Sequence, residues 1–186
     1  LAELGVSGVA LACELSDLAS VRSAVQALRG LGPFQGLLAN AGIMALPTLQ
    51  QVHGVERQLF VNHVGHFVLV TGLLDQLTPT GRVTMLSSGA LHFAKAGIDL
   101  DNASGEQRYD EWEAYGRSKL ANILFANALA TRLPAGQLAN SVHPGVILTN
   151  LARHMDAEER DTMYADLEQD GRLKTVGQGA ATQVLV

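Results

Sequence analysis

Apolar residues recur along this chain in two alternating patterns, short continuous runs and stripes at helical spacing. Gly8–Glu14 (GVALACE) is a short apolar run and predicts a strand. Ser16 or Asp17 can cap the helix that follows, with Val21, Val25 and Leu28 spaced along one inner face. Gly36–Asn40 (GLLAN) predicts a second strand, ending at Ala41-Gly42. Thr48 is placed to cap a long helix reaching about Leu77, whose apolar middle, residues 61–74, holds two histidines and reads as buried. Gly81–Ser87 (GRVTMLS) predicts a third strand, and residues 89–109 a longer polar connection. Asp110 can cap a helix running to about Leu133, where Pro134 ends it. Leu138–His143 predicts a fourth strand, closed by Pro144-Gly145. Residues 146–174 read as irregular with short helices, and a last helix starts near Thr175.

Strands that alternate with helices imply parallel βαβ units in one doubly wound sheet, a single α/β domain. The 186 residues suffice for one domain with a real core. In such sheets ligands sit beyond the carboxyl ends of the strands. Asn40, Ser88 and Pro144-Gly145 each lie at such an end, and Tyr115 and Lys119 lie on the helix after the third strand. Candidates distant in sequence therefore converge on one edge of the sheet.

Tyr115-Gly-Arg-Ser-Lys119 places a phenol and an ammonium four residues apart, on one helix face. Alone, this pair is common in helices. An ammonium beside a phenol favours the phenolate, and so lowers the Tyr pKa from its usual ~10 toward neutral pH. Such a Tyr can pass a proton to or from an alcohol oxygen. Ser88, 27 residues earlier, can donate a hydrogen bond to the same oxygen. Together they describe a site that interconverts an alcohol and a carbonyl, given a source of hydride. Ser87 reads as structural, because successive strand residues face opposite ways.

Composition removes several other classes. The chain is 47% hydrophobic and 17% charged, a globular balance. A net charge of −5 with no basic cluster argues against a nucleic-acid partner. The single Cys13 cannot form an internal disulfide, which fits a reducing, cytoplasmic setting. No apolar run reaches the ~18 residues of a transmembrane helix. His63 and His66 are three apart, but no carboxylate or thiol completes a zinc set, so no metal is expected. Ser88 is not in a Gly-x-Ser-x-Gly setting, which argues against a hydrolase. The chain reads as cut at both ends: it opens on a helix end running into a strand and stops within an apolar helical pattern.

Asn40-Ala41-Gly42 after a strand, Asn62 in the long helix, Ser87-Ser88, Tyr115-x-x-x-Lys119, and Pro144-Gly145 with Thr149 occur in this order on these elements. The set resembles the classical short-chain dehydrogenase/reductase family, over nearly the whole chain. HFVLVTGLL and YGRSKLANILFANALATRL look most like its retinol-dehydrogenase-like branch. The resemblance implies a Rossmann-like fold, NAD or NADP as cofactor, and a small alcohol or carbonyl substrate; it admits a homo-oligomer. By family role, Tyr115 is the general acid/base. Lys119 holds the nicotinamide ribose and lowers the Tyr pKa, and Ser88 bonds the substrate oxygen. Asn62 shapes the long helix and holds a water linking Lys119 to solvent. Asn40, Ala41 and Gly42 form a turn beside the adenosine ribose. Pro144, Gly145, the backbone of Val146 and Ile147, and the Thr149 hydroxyl face the carboxamide.

Two departures qualify this. Glu14, with Leu15 beside it, stands where the family usually places Asp against the adenine. The Gly-rich phosphate turn and the first two strands of the family sheet have no counterpart in the sequence. Residues 1–186 therefore read as a partial domain starting at strand 3 of an order 3-2-1-4-5-6-7, with 146–174 as its substrate loop. Alone, it is expected to leave an unpaired apolar strand edge, to aggregate and to bind no dinucleotide. NAD and NADP cannot be told apart here. Two other readings of the same fold are an NAD-dependent epimerase or dehydratase and a non-catalytic dinucleotide-binding scaffold. The Ser–Tyr interval and Asn40-Ala41-Gly42 favour a reductase, and an intact Ser88, Tyr115 and Lys119 argue against a scaffold. Leu91, Phe93, Ile98, Leu148, Leu151, Met155 and Met163 would line the pocket and favour an apolar substrate.

Overall fold

The computed structural model describes Gly5 and residues 7–186. Asp17 starts the first helix, α1 (Leu18–Arg29), by accepting from the Ala19 N–H at 2.9 Å. Strand β1 (Phe34–Ala39) follows. A short antiparallel pair, β2 (Gln51–Val52) and β3 (Val55–Glu56), comes next. The long helix is α2 (Arg57–Leu59), a π segment (Phe60–Val64) and α3 (Gly65–Thr71). Then come β4 (Leu77–Leu86), α4 (Glu111–Ala130) and β5 (Leu138–Val142). The chain goes on through β6 (Val146–Ile147), α5 (Ala157–Gln169), β7 (Leu173–Lys174) and α6 (Val176–Leu185).

The central sheet has the order β1-β4-β5, all parallel. Leu37, Leu38 and Ala39 pair with Val83, Thr84 and Met85, and Thr84, Met85 and Leu86 pair with Asn140, Ser141 and Val142. The crossovers run through α3 and α4, as parallel strands require. Val70 of α3 and Ala126 and Leu129 of α4 pack on Ala39, Val83, Met85 and Ala139 to form the main core. Leu38 and Leu138 alternate with those inward residues and remain 55% and 50% exposed.

Four sequence expectations need correction. Gly8–Glu14 forms no strand: among the described residues no strand pairs with it, and Val9 and Leu11 are exposed. An extended segment without a hydrogen-bonded neighbour is not a strand. The long helix does not start at Thr48. His53 and Gly54 take positive φ of 50° and 78°, which turns the chain back as the β2–β3 hairpin. Glu56 is the cap instead, accepting from the N–H groups of Gln58 and Leu59 at 2.9 and 2.8 Å. β4 begins at Leu77, four residues before its expected start, because Leu77 pairs with Phe34. Residues 146–174 are more regular than expected, because Asp156 caps a 13-residue helix through Glu158 and Glu159.

A close backbone approach sets the seat of the long helix. A Cβ on Gly65 would lie 2.5 Å from the Leu15 carbonyl oxygen. Leu15 in turn joins Val21, Ile43, Leu46 and Val61 in a second cluster. The absent side chain lets the turn before α1 lie directly on the helix that holds Asn62. Gly65→Ala forces these two backbones apart and is expected to destabilise the fold by ~1–3 kcal/mol. Urea unfolding measures this; a variant as stable as the wild type refutes the contact.

Candidate active site

Helix α4 carries two of the candidate residues on one buried face. Asp110 caps it by accepting from the Glu113 N–H at 2.7 Å. Tyr115 and Lys119 are each 3% exposed. The helix can lie on the segment after β4 because residue 116 is glycine: a Cβ there would meet the Ala90 carbonyl oxygen at 2.4 Å. Ser87 fastens the contact, its hydroxyl donating to the Lys119 carbonyl at 3.0 Å. Ser88 faces the other way and caps the 3₁₀ turn Gly89–Phe93 by accepting from the Ala90 N–H at 3.2 Å. Its hydroxyl lies close enough to Tyr115 to lower the phenol's pKa.

Burial dominates the electrostatics. The Lys119 ammonium sits 5.4 Å from the Tyr115 ring centroid, over the face of the ring. It also donates to the Leu86 carbonyl at 3.3 Å. Loss of hydration pushes the Lys119 pKa down to about 8. The same loss pushes Tyr115 up to about 12, against the pull of Ser88. The expected lowering of the Tyr pKa by Lys is therefore absent from this geometry. Both groups are desolvated, and the cation faces the ring.

Asn62 lies in the π segment with no exposed surface. Its side chain clamps Ile43, accepting from the N–H and donating to the carbonyl, each at 2.9 Å. It donates also to the Ser118 hydroxyl at 3.0 Å. Its backbone carbonyl accepts from His66 Nδ1 at 3.0 Å and Asn122 Nδ2 at 3.2 Å. Two side-chain donors thus converge on that oxygen. Gly42 lies against the same group: a Cβ on it would be 3.0 Å from Asn62 Oδ1 and 3.8 Å from Lys119 Nζ.

The other candidates fall into two groups. Asn40 and Ala41 are exposed just past the carboxyl end of β1, and Gln183 donates to Asn40 Oδ1 at 3.3 Å. The Gly42 carbonyl lies 3.5 Å from both terminal nitrogens of Arg153. Pro144 and Gly145 follow β5, Val146 and Ile147 pair with Leu173 and Lys174, and Thr149 caps the turn Asn150–His154. These sets meet at one end of the sheet. Glu14 and Leu15 do not join them as free groups. The Glu14 carboxylate accepts from the Ser16 N–H and hydroxyl at 3.0 and 2.6 Å, bonds that lower its pKa, and Leu15 is buried in the core.

A cover lies over Tyr115. Met44, Ala45, Ala152, Met155 and Tyr164 form one buried cluster with it, joined by Leu151, Met163 and Trp112. Of the expected lining, Leu151, Met155 and Met163 are there, whereas Phe93 and Leu148 are exposed. Phe93 lies tilted against Trp112 with ring centroids 5.9 Å apart, and Trp112 meets Tyr115 edge-on at 6.4 Å. Sequence reasoning missed Gly116, Ser118 and Asn122, all on α4. Their signal was helical spacing: Ser118 and Asn122 lie three residues from Tyr115 and Lys119. No cluster of metal ligands occurs among the described residues, and none of their helices is long and apolar enough to cross a membrane.

The model of the family described as short chain dehydrogenase matches residues 1–160. The chain belongs to the short-chain dehydrogenase family. It is 42% identical, over all its length, to a "Probable oxidoreductase" of Streptomyces antibioticus, and covers 65% of that protein. It is 37% identical to human retinol dehydrogenase 14, with 98% of this chain and 56% of that protein covered. The chain thus spans just over half to two thirds of the length of these relatives. Among solved structures, a blue fluorescent protein from a metagenomic library, in complex with NADPH, is 30% identical with a TM-score of 0.58. That match covers 79% of this chain and 57% of the other. The parallel sheet with its helices is the Rossmann-like fold of these short-chain dehydrogenases.

His66 links the site to stability. Burial drops its pKa from 6.5 to about 4, so it stays neutral while its Nδ1–H holds the Asn62 carbonyl. Between those values only the unfolded chain binds the proton. Stability is therefore complete above pH 6.5 and falls as the pH is lowered toward 4. The loss is about 3 kcal/mol. His66→Gln keeps a donor but cannot titrate, so its acid-side loss is expected to be smaller by about that amount. Urea unfolding across this pH range checks it; parallel curves for the two proteins refute it.

Proposed function

We propose that this short-chain dehydrogenase is an NAD(P)-dependent oxidoreductase that interconverts an alcohol and a carbonyl. The observation that carries the reading is the meeting of the Ser88 and Tyr115 hydroxyls, from separate elements, with Lys119 stacked on the phenol ring in an apolar cluster. The NADPH complex of a relative 30% identical supports the cofactor class. The residues fit such a group. Gly42, with no side chain of its own, lets its backbone lie against Asn62 and near Lys119 Nζ, and Asn40 and Ala41 are exposed next to it. Lys119 would hold ribose hydroxyls. Asn40–Gly42 would border the adenosine side, and Pro144–Ile147 with the Thr149 hydroxyl the carboxamide. Glu14 would reach the adenine only by releasing Ser16. A nicotinamide dinucleotide, when bound, supplies or accepts the hydride.

The chain's own residues then manage one oxygen and one proton. Ser88 donates a hydrogen bond to the substrate oxygen. Tyr115, pushed up to about 12, is the neutral phenol near pH 7 and gives its proton to the oxygen as charge develops there. This protonation state suits carbonyl reduction, and alcohol oxidation gains as the pH rises. The apolar cover of Leu151, Met155, Met163 and Tyr164 excludes water and favours an apolar substrate, with residues 146–174 framing it.

Tyr115→Phe keeps the ring and removes the proton. In the full-length protein, aldehyde reduction followed by nicotinamide absorbance is expected to fall by ~10² or more, with dinucleotide affinity little changed. Normal turnover in this variant excludes Tyr115 as the acid. Lys119→Ala is expected to weaken both affinity and rate.

The two serines separate by role. Ser88→Ala is expected to slow turnover by an amount on the order of 2–4 kcal/mol. Ser87→Ala is expected to act on stability and only mildly on rate, since its hydroxyl holds the Lys119 carbonyl. Equal rate effects, or the reverse order, show that the wrong hydroxyl has been assigned.

A further inference from the structure

We propose that Asn122 is a positioning residue: by holding the Leu86 and Asn62 carbonyls it leaves Lys119 free to turn toward its ligand. This rests on the role given to Lys119 above. Asn122 is 1% exposed and lies one helical turn after Lys119. Its Nδ2 donates to the Leu86 carbonyl at 2.8 Å and to the Asn62 carbonyl at 3.2 Å. Carbonyls cannot donate, so the amide's NH₂ end faces them, which fixes its orientation. Its Oδ1 then accepts from His63 Nδ1–H at 2.9 Å.

One side chain thereby joins three backbones. They are the end of β4 just before Ser87 and Ser88, the π segment at Asn62, and α4 with Tyr115 and Lys119. The Leu86 carbonyl is the decisive point, because two donors share it. Asn122 Nδ2 lies at 2.8 Å and Lys119 Nζ at 3.3 Å. When Lys119 leaves for a ribose, this buried oxygen keeps a partner. Without Asn122 the ammonium is its only donor among the described residues, and the departure of Lys119 orphans a buried carbonyl. Asn122 thus lowers the cost of Lys119's movement without touching substrate or cofactor.

The test replaces Asn122 in the full-length protein with Leu, of similar size, and in parallel with Ser, which is too short to span both carbonyls. NADPH and NADH affinities are read by fluorescence titration, and Lys119 protonation by NMR of its labelled Cε. The titratable groups facing Lys119 are Tyr115 on its own helix and His66 on α3. In Asn122→Leu the ammonium is held at Leu86, so the Lys119 midpoint is expected to rise and dinucleotide affinity to fall ~10-fold. In a Lys119→Met background the same Asn122 change is expected to cost no affinity. A loss that persists in that background marks Asn122 as merely structural and overturns the proposal. So does a Lys119 midpoint that does not move in either Asn122 variant. A wild type that binds neither dinucleotide, while the Asn122 variants still shift Lys119, refutes the oxidoreductase reading and leaves the positioning intact. Should Asn122→Leu fail to fold, Asn122→Ser decides by the same criteria.

Discussion

Helix α4 lies directly on the chain that leaves β4, and most of the site depends on that approach. It needs a residue without a side chain at 116, where the Ala90 carbonyl occupies the space of a Cβ. It has Ser87 donating to the buried carbonyl of Lys119, and Asn122 to that of Leu86. Each contact ties a buried backbone carbonyl of one element to a side chain of the other. With the helix seated, Tyr115 stands opposite Ser88 without a long-range ion pair. The hydroxyls are held by backbone geometry rather than by charge.

Burial sets the chemistry of this arrangement. The chain places a lysine and a tyrosine in a nearly dry cluster with no carboxylate, among the described residues, to compensate the lysine. The neutral forms of both gain, so Lys119 drops to about 8 and Tyr115 rises to about 12. His66, behind them, is neutral for the same reason. On the proposed reading, a region this poor in charge would stabilise a developing alkoxide only through hydrogen bonds and through whatever positive charge Lys119 retains. The acidity of the Tyr is thus a property of the whole cavity, and the short spacing of Tyr and Lys does not determine it.

The sheet and its helices were legible because periodicity and caps coincide. Asp17, Asp110 and Thr175 cap where the sequence places them, and the three core strands lie within a few residues of their expected bounds. Convergence at the carboxyl edge was legible too, since it follows from topology. What failed to show were features set by tertiary contact. Whether Gly8–Glu14 pairs depends on a neighbour. The hairpin before α2 depends on left-handed His53 as well as Gly54. The sign of the Tyr115 shift depends on dehydration, which no spacing encodes. Asn122 was passed over because an Asn within an apolar helical run carries no motif, although its offset of three from Lys119 puts it on the neighbouring turn.

The distribution of contact strength says which part of the site can yield. Tyr115 is 3% exposed, so on the proposed reading a substrate oxygen would reach it only if something moves. On the α4 side, Asn62, Ser87, Ser118 and Asn122 use nearly all their bonding capacity at 2.7–3.2 Å and are fully or almost fully buried. On the cover side the ties are longer and more exposed: Tyr164 to the Ile147 carbonyl at 3.4 Å, Arg153 to Gly42 at 3.5 Å, and a two-residue pairing of β6 with β7. The cover is otherwise held by apolar contact, which is non-directional and can re-form around a different shape. An apolar substrate of the kind proposed would replace those contacts with its own, so opening the cover would cost it little. Opening α4 would expose carbonyls that no substrate satisfies. The asymmetry holds Tyr115 fixed while the apolar residues around it are free to re-form on a different shape.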